Sequence, residues 1–140
     1  MPQSPDNLPL ALYSAAQVRE LDARLIAAGT PGFELMSRAA HAVWRALRRR
    51  WPDVGMLTVL AGRGNNAGDG YLVAALALRA GWQVQLLAVG DPLQLQGDAA
   101  QARDEAQAAG VNVQPWSECA ELRGVVVDAL LGTGLSGAVR

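Results

Sequence analysis

The chain contains no lysine, and its twelve basic residues are all arginine. A Walker-type phosphate loop needs a lysine for the terminal phosphates, so triphosphate hydrolysis of that kind is excluded. Cys119 is the sole cysteine, which rules out an internal disulfide and points to a reducing, cytoplasmic setting. No histidine lies near it in sequence, so it reads as a small apolar residue and not as a nucleophile. His41 is the sole histidine and has no metal-ligand partner at suitable spacing. Thirteen acidic residues leave a net charge of −1, without the basic excess of a nucleic-acid binder. No apolar run approaches a membrane span free of charges and turn residues. The opening Met1-Pro2-Gln3-Ser4-Pro5-Asp6-Asn7 lacks the basic and apolar regions of a signal peptide.

What is present is enough apolar residue, 51% of 140, to bury the core of one domain. Residues 1–11 hold three prolines and read as a mobile arm, leaving 12–140 as the domain. Ser14-Ala15-Ala16-Gln17 has the capping-box pattern, and Val18, Leu21, Leu25 and Ala28 recur at helical spacing, which predicts a helix over 15–28 stopped by Gly29. Thr30-Pro31 reads as an N-cap with proline at the first helical position. The broad apolar face of Leu35, Met36, Ala39, Val43, Trp44 and Leu47 carries that helix to Arg50. Arg48-Arg49-Arg50 complements the carbonyl end of its dipole and reads as a solvated helix end. The tryptophans at 44, 51, 82 and 116 are too scattered for a stacking platform and read as core and rim packing.

Beyond this point strands alternate with helices. Strands are predicted over Met56–Ala61, Trp82–Val89, Val111–Val113 and Val125–Val127, and helices over 69–80 and 96–109, ended by Gly81 and Gly110. This alternation implies an α/β fold: a Rossmann-like, doubly wound parallel sheet with right-handed crossovers and helices on both faces, preceded by two N-terminal helices. In such sheets ligands bind beyond the carboxyl ends of the strands, where the 62–70 and 128–138 loops emerge.

The first of these loops is the richest segment of the chain. Gly62-Arg63-Gly64-Asn65-Asn66-Ala67-Gly68-Asp69-Gly70 follows a strand and opens a helix, with four glycines that let the backbone turn and approach a ligand. The first N–H groups of such a helix favour anions, above all phosphate. The dinucleotide fingerprint GxGxxG is met only at its first two glycines, the third arriving one residue late, so the loop is a variant that adds two side-chain amides. Asp128 closes a run of three valines, and with Asn66 and backbone carbonyls it can coordinate a cation. The plainer alternative is that Asp128 caps the next turn while Asn65 and Asn66 take left-handed backbone conformations. Asp69 likewise either contacts a ligand or stabilises the helix dipole.

Gly64-Asn65-Asn66-Ala67-Gly68-Asp69-Gly70 resembles the GNNGGDG loop of the YjeF N-terminal domain family, the NAD(P)H-hydrate epimerases. Val127-Asp128-Ala129-Leu130-Leu131-Gly132-Thr133-Gly134-Leu135 is similar to that family's later strand-Asp-x-x-x-Gly segment, and Ala16–Asp22, Gly29-Thr30-Pro31 and Leu35-Met36 to its opening helices. The resemblance implies potassium bound by Asn66 and Asp128. It implies a hydrated nicotinamide nucleotide held against Asn65, Asn66, Ala67, Gly68 and Asp69, and against Gly132, Thr133, Gly134, Leu135, Ser136, Gly137 and Ala138. The implied reaction interconverts the R and S epimers of NADHX and NADPHX. It also implies a homodimer paired through the N-terminal helices, and in some relatives a following ADP-dependent dehydratase.

Departures from the family pattern shape these expectations. The family's catalytic aspartate precedes a Pro-Ser-Gly step on a later strand, and no such segment precedes Arg140. The chain is therefore expected to be an incomplete domain that binds without turning over. Ala67 replaces a loop glycine and requires backbone angles that suit a side chain, and Ser37 and Ala40 stand where the family tends to have Glu and Gly. Two other readings are a NAD(P)-binding oxidoreductase domain, with Asp91 on a ribose, and a non-enzymatic scaffold of the same fold. Asp91-Pro92 and the glycine spacing speak against the first, and the intact loop against the second.

Overall fold

The computed structural model describes residues 32–130. The predicted arm 1–11, the helix 15–28, the Thr30-Pro31 start and the second glycine loop fall outside those residues.

Helix α1 spans Gly32–Arg50 and buries Leu35, Met36, Ala39, Ala40, Val43, Trp44 and Leu47 along one stripe. Its three terminal arginines are exposed. The Arg48 guanidinium lies 5.8 Å from the Trp44 ring and that of Arg50 lies 5.2 Å from the Trp51 ring, as the solvated helix-end reading expects. His41 is exposed, its Nδ1 2.9 Å from the Ser37 carbonyl oxygen. Trp44 packs edge-to-face on Trp82 at 5.0 Å, a contact worth about 1 kcal/mol beyond its burial.

The strands β1 (Met56–Ala61), β2 (Gln83–Ala88), β3 (Val113–Pro115) and β4 (Val125–Ala129) form one sheet of order β3-β2-β1-β4. Every neighbouring pair is parallel, as the strand-helix alternation implies. Helices α2 (Asn66–Arg79) and α3 (Gly97–Ala109) connect β1 to β2 and β2 to β3. Two right-handed crossovers moving the same way along the sheet place both helices on one face. Leu57, Val59, Ala61, Leu86, Ala88, Val125 and Val127 meet them there in a continuous core. Apolar residues surround α2 on most sides because it is wedged between the sheet, α1 and α3.

The opposite face is buried at Leu87, Val126 and Thr58, and it carries a polar lock. The Thr58 hydroxyl donates to the Arg123 carbonyl at 2.8 Å and accepts the Arg123 N–H at 3.0 Å. Gln85 Nε2 donates to Thr58 Oγ1 at 3.2 Å and to the Glu121 carbonyl at 2.7 Å. A polar residue in the middle of β1 thus pins the segment that leads into β4, so that its backbone groups are satisfied without a helix.

Three elements differ from the sequence expectation by two residues or more at an end. Strand β3 starts at Val113, not Val111, because the Val111 N–H bonds to the Ala106 carbonyl at 3.0 Å behind a left-handed Gly110 and so belongs to the α3 cap. Pro115 is tolerated at its end because β3 is an edge strand. Strand β4 continues to Ala129, so Asp128 pairs within the sheet opposite Leu60 and does not end the strand. Helix α2 begins at Asn66, three residues before the predicted start.

Candidate nucleotide-binding site

Strand order reverses between β1 and β4, since the chain runs outward from β1 to β3 and returns to β4 on the other side. This switch point opens a crevice at the carboxyl edge of the sheet. The Gly62 N–H bonds to the Ala129 carbonyl at 3.0 Å, which ties the two strand ends together at the floor of that crevice.

The loop proper is only Gly62–Asn65. Asn66, Ala67, Gly68 and Asp69 form the first turn of α2 and are buried, with Asn66 1% and Asp69 5% exposed. The predicted left-handed conformations are not adopted: Asn65 has φ −63° and ψ −27°, and Asn66 is helical. Helical angles also answer the question raised by Ala67, since they accept a side chain. Asn65 stands at the cap position, exposed, and its amide makes no capping hydrogen bond. The Ala67 and Gly68 N–H groups bond back to the Gly64 and Asn65 carbonyls, each at 3.0 Å. Two of the donors expected to face an anion are therefore engaged by the loop itself.

The glycines answer to packing as much as to ligand approach. Gly62, Gly68 and Gly70 all have ordinary negative φ. A Cβ at Gly62 would collide with the Leu130 carbonyl, one at Gly68 would come within 2.5 Å of Met36 Sδ, and one at Gly70 within 2.9 Å of Val59 Cγ1. The packing of this chain by itself requires glycine at these positions, so their presence does not distinguish a binding loop from a scaffold.

Asp128 is half-buried at the crevice, beside Leu60 on the neighbouring strand. Its Oδ1 accepts the Leu130 N–H at 3.0 Å, which is the turn-capping role, and the carboxylate retains further lone pairs for another partner. Fold and loop thus bring Asn65 to Asp69 and Asp128 to one edge. Gly132 to Ala138, the other half of the expected site, lie outside the described residues. No cluster of three His, Cys, Asp or Glu suited to a metal occurs among the described residues. Asn66 and Asp128 carry an amide and a carboxylate oxygen, the hard donor types that s-block cations take.

Other sequence expectations resolve here. The Asp91 carboxylate accepts the Leu93 N–H at 2.9 Å and caps the short 3-10 turn Pro92–Gln94, so it is a turn residue and not a ribose ligand. Cys119, read as a small apolar residue, is exposed in a turn, because the β3–β4 connection runs over the surface. The scattered tryptophans divide into a buried Trp44, half-buried Trp51 and Trp82, and an exposed Trp116. Sequence reasoning gives no role to Arg63, which lies exposed at the mouth of the crevice. No described helix is long and apolar enough to cross a membrane.

A parallel four-stranded α/β sheet with a glycine-containing loop at its switch point defines a Rossmann-like, doubly wound class of domain. The family described as YjeF-related protein N-terminus matches residues 32–140, and the chain belongs to that family. It is 43% identical over 130 residues to the bifunctional NAD(P)H-hydrate repair enzyme Nnr of Coxiella burnetii, covering 92% of this chain and 27% of that protein. It is 36% identical over 135 residues to the NAD(P)H-hydrate epimerase of Rhodobacter capsulatus, covering 89% of this chain and 63% of that protein. The crystal structure of yeast ynu0 superposes with a TM-score of 0.69 at 23% identity, over 94% of this chain and 60% of the yeast chain, which shows the shared fold. The chain thus spans about a quarter of the bifunctional relative and less than two thirds of the epimerase.

Proposed function

We propose that this domain binds hydrated nicotinamide nucleotides and serves their epimerisation, inverting the hydroxylated ring carbon of NADHX and NADPHX. The observation that carries the reading is the Asn65–Asp69 turn, with Asn66 and Asp69 buried at the switch point beside the strand that bears Asp128. The names of its relatives supply the substrate class. Exchange of hydroxide at a carbon next to the ring nitrogen needs an acid and a base near that carbon and groups that hold the nucleotide still. The described residues fit the second task. The Asn65 amide faces solvent at the mouth, and the buried first turn of α2 fixes one wall of the crevice.

Asn66 and Asp128 would hold potassium, which as a weak Lewis acid would organise the loops and the phosphate. We further propose a cytoplasmic protein, in keeping with an exposed lone thiol, that pairs as a homodimer and in its parent protein stands before an ADP-dependent dehydratase.

Incubating the parent-length protein, since this chain alone is expected to bind without turning over, with one purified epimer of NADHX and following both epimers by chromatography tests the reading. Equilibration faster than the spontaneous rate is expected, and an unchanged rate would count against it.

A further inference from the structure

Arg63 follows β1 by two residues, and its side chain is laid over Gly90, which follows β2 by two residues. A Cβ at Gly90 would stand 2.7 Å from Arg63 Nε and 2.9 Å from its Cγ, and the φ of +87° at Gly90 is itself one that side chains avoid. The Val89 N–H bonds to the Ala61 carbonyl at 2.8 Å, so the two turns are joined just beneath the arginine. The stem is thereby held across the carboxyl edge of the sheet. Yet no described residue takes a hydrogen bond or an ion pair from the guanidinium. Two other described arginines are engaged: Arg38 pairs with Glu34 at 2.6 Å, and Arg103 bonds to the Pro92 carbonyl at 2.7 Å and to Asp104 at 2.9 Å.

A site for a nucleotide must neutralise phosphate, and here the Ala67 and Gly68 N–H groups are already bonded within the turn. A planar guanidinium supplies a two-pronged donor that matches phosphate oxygens and stays charged at any working pH. We propose that Arg63 is the residue that recognises a phosphate of the substrate, an assignment that rests on the nucleotide-repair reading above. The phosphate is either the pyrophosphate common to both nucleotides or the 2′-phosphate that distinguishes NADPHX. Gly90 keeps the arginine's path clear, and Arg63 sets affinity at a point no glycine-loop pattern covers.

The test is calorimetric titration of NAD+ and of NADP+, as stand-ins for the hydrated forms, into the protein and its Arg63→Gln and Arg63→Lys variants at fixed potassium and ionic strength. Arg63→Gln is expected to weaken binding about tenfold and Arg63→Lys to recover part of the loss. The thermal midpoint should hold in both variants, because the side chain is exposed. A loss confined to NADP+ places Arg63 on the 2′-phosphate, and an equal loss for both nucleotides places it on the pyrophosphate. Unchanged affinity of Arg63→Gln for both nucleotides, with the unmutated protein binding normally, overturns the assignment and leaves the functional reading standing. Absence of binding by the unmutated protein overturns both.

Discussion

The Leu130 carbonyl occupies the space a side chain at Gly62 would need, and the Gly62 N–H reaches the neighbouring Ala129 carbonyl at 3.0 Å. The end of β1 and the end of β4 are thus in backbone contact, and the residues that follow each are placed by the other. Gly62→Ala sets a methyl group against backbone that cannot rotate away. It is expected to cost about 1–3 kcal/mol in urea unfolding and to weaken nucleotide binding at the same time. Full stability with intact binding would show that the contact is not needed.

Gly68 and Met36 offer a coupled pair. The Met36 thioether fills the space over Gly68, with Ala99 Cα only 3.1 Å from the same point, so α1, α2 and α3 meet there. Gly68→Ala overpacks this junction and Met36→Ala empties it. Each alone is expected to destabilise, and the double variant should be more stable than the sum of the two losses by about 0.5–1.5 kcal/mol. Strict additivity would mean that the two residues do not compete for one space.

Thr58→Val keeps shape but leaves the Arg123 N–H and carbonyl without their Thr58 partner, while the Gln85 amide keeps only its bond to the Glu121 carbonyl. A loss of about 1–3 kcal/mol is expected. Nucleotide affinity in the folded variant should stay the same, because the lock fastens the β3–β4 connection and not the crevice. A drop in affinity in a variant shown to be folded would link the two.

Tyr71 is fully buried and its hydroxyl has no partner among the described residues. Burial pushes its phenol above the usual 10.0, and nearby Arg103 pulls weakly the other way. The native state therefore keeps a proton that the unfolded chain releases. That contribution is whole below about pH 10 and is lost as pH rises through the folded value. With no lysine in the chain, few other groups titrate in that range. Tyr71→Phe is expected to match or exceed the parent's stability at neutral pH and to lose less on going to about pH 11, read as urea midpoints at both. An equal alkaline loss in the variant would assign the effect to other groups.

The sequence read most clearly where pattern and chemistry coincide. The apolar run Met56–Ala61 followed by glycines marked β1 and the switch-point loop, and helix stops at Gly81 and Gly110 were where expected. The start of α2 was obscured because Gly68 and Gly70 look like loop residues, while in the structure they are helical positions kept bare by Met36, Val59 and Ala129. The β3 register was misplaced because Val111 has the composition of a strand and the hydrogen bond of a helix cap. Arg63 carried no periodic signal, and only the register that aligns the ends of β1 and β2 reveals what it lies across. Asn66 and Asp128 were legible as a pair only through the family resemblance, because one stands in the first turn of α2 and the other within β4, with nothing in either segment's pattern to link them.

The most direct measurement is calorimetric titration of NADP+ into the protein in potassium and in a potassium-free buffer of equal ionic strength, with Asn66→Ala and Asp128→Ala alongside. Binding that depends on potassium and is lost in both variants, with their folds intact by circular dichroism, is the expected result. Binding that is indifferent to potassium and survives both substitutions would contradict a nucleotide and ion site at the ends of β1 and β4.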